Sequence, residues 1–288
     1  MEIKEIQAKS ILTKSGLPDA DWSVNPYVGC QFGCQYCYAA FIGRWKYPDK
    51  TWGQFLDVKI NAPEVLRQEL AKLEKKYKSK NFGAIFFSSV TDCYQAAEAK
   101  YQITRGCLQA LADFGYQGEI SILTKSPLVL RDIELLKKLK AEVGLTITAL
   151  DDEVSRFFEV AAPTVSGRLR ALKKLNDEGV KTYAFVGPVL PHLILSPEKL
   201  DELFIKLKEV AVREIYVESI NLSAKIKERL YQYLRRTNPA LINVFDQMKT
   251  PEYRQRLNKI VRVALSRAGL KLIGGEIIYH NKKFNFII

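Results

Sequence analysis

The chain has 288 residues, 47% of them hydrophobic, which supplies one large core, although two domains is the generic expectation for this length. No apolar stretch approaches membrane-spanning length, and the opening Met1-Glu-Ile-Lys-Glu lacks the apolar segment of a signal peptide, so a cytoplasmic setting with reduced thiols is expected. Lysine and arginine number 44 against 32 aspartates and glutamates, a formal +12 that admits an acidic partner.

In chain order, residues 9–21 read as a loop wrapping the outside of the body, and a first strand is expected over 22–28. Straight after it stands Asn25-Pro-Tyr-Val-Gly-Cys-Gln-Phe-Gly-Cys-Gln-Tyr-Cys-Tyr38, in which Cys30, Cys34 and Cys37 form CxxxCxxC. Three thiolates on one short loop can hold three corners of a cubane iron-sulfur cluster and leave the fourth iron open to a ligand. Gly29 and Gly33 would let the chain turn tightly around such a core. A zinc site with a fourth ligand from elsewhere is the alternative; no second CxxC pair exists, and His192 and His280 are the only imidazoles. A disulfide framework fits poorly with five cysteines, an odd count.

Further strands are expected over 83–88, 119–124, 143–149, 181–187 and 213–218, with helices over 63–78, 97–115, 128–140, 165–178 and 196–211. Ser196, Pro197 and Glu198 supply an N-cap followed by proline at the first helical position. Short β-branched runs alternating with amphipathic segments give an α/β fold, six strand-helix units closing into a partial (β/α)6 TIM-type barrel. Beyond about residue 238, Thr250-Pro-Glu252 opens a helix to Ala268, and Leu270 to Tyr279 with Phe284 to Ile288 suggest a hairpin turning through His280 to Lys283. The expected division is an N-terminal extension over 1–20, a core over 21–237 and a C-terminal extension over 238–288 packed on it.

The cysteine spacing with an aromatic before the last cysteine resembles the signature of radical S-adenosylmethionine enzymes, and Asn25-Pro-Tyr with Cys37-Tyr38 is similar to their spore photoproduct lyase-like branch. The resemblance continues through Ser88-Ser-Val-Thr-Asp92, Tyr94-Gln95, Thr104-Arg105, Leu123-Thr-Lys-Ser-Pro127, Arg131-Asp132, Ala161-Ala-Pro163 with Arg168-Leu169, and Gly187-Pro-Val-Leu-Pro191. It implies a 4Fe-4S cluster on Cys30, Cys34 and Cys37, chelated at its open iron by S-adenosylmethionine. It further implies one-electron cleavage of that sulfonium to methionine and a 5′-deoxyadenosyl radical that takes hydrogen from a substrate. No Ser-His-Asp set, Walker loop or HExxH stretch points to another chemistry.

Chemistry in parallel barrels sits at the C-terminal ends of strands, so polar clusters that directly follow apolar strands are site candidates. Ser88, Ser89, Thr91 and Asp92 follow the second strand, Lys125 the third, and Thr146 and Thr148 alternate toward one side of the fourth. The resemblance sets these residues around the cofactor, with Tyr36 beside adenine. It likens Tyr38 to a tyrosine of radical relay and puts Ser89 where the lyase carries a hydrogen-donating cysteine. A serine O–H bond is too strong for that task, which leaves Cys93 as the catalytic thiol candidate, against the reading of a free cysteine as a small buried hydrophobe. Cys107 shares a helical face with Ile103, Leu111 and Phe114 and reads as core, and Glu218 closes the sixth strand as a mouth-facing group.

Basic residues gather over 72–80, 137–140, 168–174 and 225–236. They suit nucleic acid, an acidic flavodoxin- or ferredoxin-type electron donor, or plain solvated helix faces. A nucleic-acid lesion or modified base is the leading substrate expectation, as for a DNA-repair lyase. A small molecule or peptide is the rival within enzymes, and a metal-stabilised nucleic-acid-binding module the rival outside them.

Overall fold

The computed structural model describes residues 1–43 and 45–280, arranged around two sheets. The chain opens with β1 (Glu2–Ile6), β2 (Leu12–Lys14), β3 (Trp22–Val24) and β4 (Tyr27–Val28), and the cysteine loop separates these from β5 (Phe55–Lys59) and α1 (Ala62–Tyr77). The repeat continues as β6 (Ile85–Phe87), α2 (Glu98–Tyr101), α3 (Ile103–Phe114), β7 (Ile120–Thr124), α4 (Ile133–Leu139), β8 (Glu142–Thr146), α5 (Asp152–Phe158) and α6 (Val165–Asp177). It closes with β9 (Lys181–Val189), α7 (Pro191–Leu195), α8 (Pro197–Glu209), β10 (Glu214–Ser219), α9 (Ala224–Thr237), α10 (Leu241–Gln247), α11 (Pro251–Ala268) and β11 (Lys271–Leu272).

The large sheet has the order β11-β10-β9-β8-β7-β6-β3-β2. Strands β3 and β6 to β10 run parallel, as the six expected units require, and β11 extends the sheet in parallel while β2 adds an antiparallel edge. Among the described residues no pairing joins the two edges, so the barrel is partial. Alternation decides which side chains enter the core. In β7, Ile120, Ile122 and Thr124 are buried while Ser121 and Leu123 are half-buried. Helices close the outside through one apolar stripe each, such as Leu200, Leu203, Phe204 and Leu207 of α8.

The strand expected over 22–28 is split between the sheets, β3 in the large one and β4 in the smaller β1-β5-β4, whose β1 and β5 have no counterpart in the pattern expected from sequence; β2 lies within the segment read as loop. The helix expected over 97–115 is broken at Gln102, whose φ of 52° ends α2. The cause is Glu98, whose carboxylate accepts from the backbone N–H groups of Thr104 at 2.9 Å and Arg105 at 3.2 Å and so caps α3. The helix expected over 128–140 starts as a 3₁₀ stretch, Pro127–Asp132, because Ser126 Oγ accepts from Leu128 N–H at 3.2 Å. In the terminal segment, β11 and Ile278 pair in parallel alongside β10, and the second hairpin arm, 284–288, lies outside the described residues.

Candidate active site

All six parallel strands end at one face, and the cysteine loop lies there because it follows β3 and β4 directly. Neighbouring elements pin it at several points. Gln31 N–H donates to Gln95 Oε1 at 2.8 Å, and Thr91 Oγ1 donates to the Gly29 carbonyl at 2.5 Å, both from the segment after β6. Gln35 N–H reaches the Phe158 carbonyl at 2.7 Å, and Ala161 N–H the Phe32 carbonyl at 3.1 Å. From α9, Arg229 Nη2 donates to the Cys34 carbonyl at 2.6 Å and the Cys37 carbonyl at 3.4 Å. Glycine is obligatory where the loop meets the strand behind it: Gly53 has φ 96°, and a Cβ there would lie 2.9 Å from Gly33 Cα.

Cys30 and Cys34 are buried and Cys37 is half-buried, all three free thiols. Burial pushes each thiol up, Cys34 to about 12, and each has a different charged neighbour: Asp92 acts on Cys30, Lys125 on Cys34 and Arg229 on Cys37. Among the described residues no three His, Cys, Asp or Glu side chains converge as ligands of a single metal ion would. A cubane would take one thiolate per iron, and three thiols on one pinned loop, with no second CxxC pair in the sequence, fit that donor set.

Behind the loop is a buried charge network. Tyr36, the aromatic between the last two cysteines, donates its hydroxyl to Glu159. Glu159 also accepts from Ser155 Oγ at 2.8 Å, Thr148 Oγ1 at 3.2 Å and Arg168 Nη2 at 2.5 Å. Burial pushes the Glu159 carboxyl up, but Arg168 and Lys125 outweigh it and hold it at about 2. Arg168 is itself fully buried and donates to the carbonyls of Pro163 and Thr146. The Ala161-Ala-Pro163 and Arg168 positions are therefore a bracket that props Tyr36 from below.

The turn after β6 is equally braced. Ser88 adopts φ 77°, and its hydroxyl accepts from Cys93 N–H at 2.9 Å. Ser89 Oγ accepts from Asn25 Nδ2 at 2.9 Å, while its carbonyl receives the Tyr38 hydroxyl. Asp92 accepts from Tyr94 N–H at 2.9 Å, Thr124 Oγ1 at 2.6 Å and Lys125 N–H at 2.8 Å, which ties the ends of β6 and β7 together. Tyr94 and Arg105 carry the bracing down to Asp132, and Arg131 bridges Asp132 to Glu98.

Tyr36, Ser88, Ser89, Thr91, Asp92, Lys125, Thr146 and Thr148 thus fall at the same face as the cysteines. Most of their hydroxyl and carboxylate groups are engaged by neighbouring side chains and backbone. Lys125 differs: its half-buried ammonium has no hydrogen-bond partner among the described residues and lies 5.8 Å from the Tyr36 ring centroid. Such a group suits a carboxylate of a bound molecule. Tyr38 is half-buried beside Cys37, whereas Cys93 has no exposed surface and is set among Ser88, Tyr27 and Glu98. Glu218 does reach this face, where His280 Nε2 lies 2.8 Å from its Oε1.

Sequence reasoning missed Glu159, Glu98 and Arg229. Arg229 had a usable signal: Arg229 and Tyr233 are four apart on α9, and Tyr233 donates to the Phe157 carbonyl at 2.7 Å, so one stripe of a basic helix faces inward.

The family model of the Radical SAM superfamily matches residues 24–204, and the chain belongs to that superfamily. It is a radical S-adenosylmethionine enzyme, and membership brings the cofactors of the family, a 4Fe-4S cluster and S-adenosylmethionine. An uncharacterized protein of Methanocaldococcus jannaschii is 38% identical over 67% of this chain and 70% of its own length. One from Mycobacterium bovis is 30% identical over 94% of this chain and 81% of its own. Spore photoproduct lyase complexed with dinucleoside spore photoproduct has the same fold, with TM-score 0.71 at 17% identity over 94% of this chain and 81% of the lyase. A variant of that lyase with bound AdoMet and the same dinucleoside matches with TM-score 0.70 at 17% identity over the same shares.

Proposed function

We propose that Cys30, Cys34 and Cys37 hold the cluster and that the enzyme acts on a lesion or modified base in nucleic acid. The observation that carries the first part is the pinned loop: three thiols at the strand-end face with an unpaired ammonium, Lys125, beside Cys34. Support for the second is the shared fold of a lyase complexed with a dinucleoside photoproduct, together with a formal charge of +12. In this reading the core spans 21–237.

When bound, the cluster supplies one electron that splits S-adenosylmethionine into methionine and a 5′-deoxyadenosyl radical able to abstract hydrogen. The residues of the chain orient that event. Lys125 would meet a carboxylate or ribose oxygen of the cofactor, Tyr36 would pack beside adenine, and Thr91 and Asp92 hold the turn on which Ser88 and Ser89 would line it. Thr146 and Thr148 shape the opposite wall through the Glu159–Arg168 pair. For hydrogen relay we favour Tyr38 over Cys93, because Tyr38 lies against the cysteine loop while the Cys93 thiol is enclosed. The reductant is of flavodoxin or ferredoxin type, an acidic protein suited to a basic surface, and the setting is cytoplasmic. Among the described residues no helix is long and apolar enough to cross a membrane.

The test is anaerobic. Protein reconstituted with iron and sulfide is reduced, given S-adenosylmethionine, and assayed for 5′-deoxyadenosine with and without ultraviolet-irradiated DNA or RNA. Product that is lost in Cys34→Ala and raised by one nucleic acid is expected. Product that no nucleic acid stimulates would move the substrate to a small molecule or peptide, and a reducible cluster that never cleaves the cofactor would overturn the assignment of these cysteines.

A further inference from the structure

The half-buried guanidinium of Arg229 is unlike those of Arg168 and Arg131. Arg168 has Glu159 and Arg131 has both Glu98 and Asp132, whereas no carboxylate pairs with Arg229 among the described residues. Its Nη2 grips the carbonyls of Cys34 and Cys37, and its Nε is buried with no acceptor among the described residues. A buried orphan donor on a charged group is costly, and a functional partner is the usual reason such a group persists. Through those two carbonyls the guanidinium is seated against the backbone of both Cys34 and Cys37. The helix that carries it, α9, packs on the single turn Tyr38–Phe41 that follows the last cysteine.

We infer that Arg229 is a positioning residue that sets the reduction potential of the cluster, holding the loop through Nη2 while its charge and its free Nε–H stabilise the reduced, more negative state. The inference rests on the reading that Cys30, Cys34 and Cys37 hold the cluster. Hydrogen bonds and positive charge at cluster sulfurs are established levers on potential, and both raise it. Arginine suits the task because it stays protonated at any working pH and offers several donors in a fixed plane.

The experiment is an EPR-monitored redox titration of the reconstituted full chain, with dithionite as reductant, for the wild type, Arg229→Lys and Arg229→Gln. Iron and sulfide are counted for each sample, and Cys34→Ala is the control. The expected order of midpoint potentials is wild type highest, lysine lower because the guanidinium donors are gone, and glutamine lowest because the charge is gone too. A purely structural role would reduce iron loading without moving the potential of the clusters that form. Equal potentials in fully loaded wild type and lysine variant would overturn the inference alone, and the lysine variant decides the matter if the glutamine variant does not load. A wild type that forms no cluster, or a Cys34→Ala variant that forms the same one, would overturn the cluster reading and this inference with it.

Discussion

At the scale of single residues, the three cysteines were legible because their spacing is a covalent fact of the chain, independent of folding. Of the groups behind them only some were. Thr91, Gln95 and Arg168 stand in motifs of the resemblance, but Glu159 sits in Phe157-Phe158-Glu159-Val160 with no pattern around it, so the partner of Arg168 is not legible. Only the tertiary structure pairs them, with neither exposed. Breaking such a pair by removing one partner strands a buried charge and costs about 3–5 kcal/mol. Arg168→Met should therefore destabilise the apo protein by about that much in urea unfolding, and Glu159→Gln/Arg168→Met should recover most of the loss. Retained stability in the single variant would show that water or another cation reaches Glu159. The same pair sets a pH window. The carboxyl lies at about 2 when folded against an ordinary value of 4.5. Its contribution is thus complete above 4.5 and disappears as pH falls toward 2. Unfolding free energies measured through that window should fall more steeply for the wild type than for Glu159→Gln.

At the scale of elements, periodicity located the parallel strands and the helices that cross between them, because each must bury one face against the same sheet. It failed where a side chain from elsewhere dictates backbone conformation. Glu98 caps α3 and breaks an otherwise continuous helical pattern at Gln102. The strands β1 and β5 were missed because Glu2–Ile6 carries exposed charges and Phe55–Lys59 sits beyond the glycine-containing segment Thr51-Trp-Gly-Gln54. That segment matters to the site through Gly53, which meets Gly33 backbone to backbone. Gly53→Ala forces a side chain into positive φ and against Gly33 Cα, a strain of about 1–3 kcal/mol. The expected result is a lower melting temperature and reduced iron uptake on reconstitution, with the β-sheet circular dichroism preserved. Gly16→Ala is the control, since nothing lies within 4 Å of a Cβ there. On α7, His192 has both ring nitrogens buried with no partner among the described residues. Burial, then Lys199, push its pKa down to about 4 from 6.5. The unfolded chain takes up a proton over that range and the folded one does not, so stability should drop as pH falls from 6.5 to 4, less so in His192→Phe.

At the scale of the whole molecule, net charge promised more outward field than the fold delivers, since Arg168 and Arg229 point inward and Lys227 pairs with Asp246 at 2.6 Å. The architecture itself divides the work between two sheets. The large one supplies the strand ends, and the small one presses the cysteine loop onto them, with β4 entering the loop and β5 leaving it. The small sheet is anchored by β1, which pairs with β5 in parallel along all five of its residues. Just after β1, Ala8 exchanges two hydrogen bonds with Asn61 at 2.7 and 2.9 Å, which fixes the strand against the start of α1. Deleting residues 1–8 would leave one edge of β5 unpaired and release Asn61, while every pairing of the large sheet stays intact. If the small sheet is what seats the loop, the truncated chain should keep its far-ultraviolet dichroism but melt at lower temperature and bind less iron. It should also protect Cys34 and Cys37 less well from alkylation in the apo state. Substituting Asn61→Ala in the full chain should move the same readouts in the same direction by a smaller amount, because β1 stays paired. Unchanged iron content and thiol protection after the deletion would mean that Gln95, Phe158 and Arg229 hold the loop without help from the small sheet.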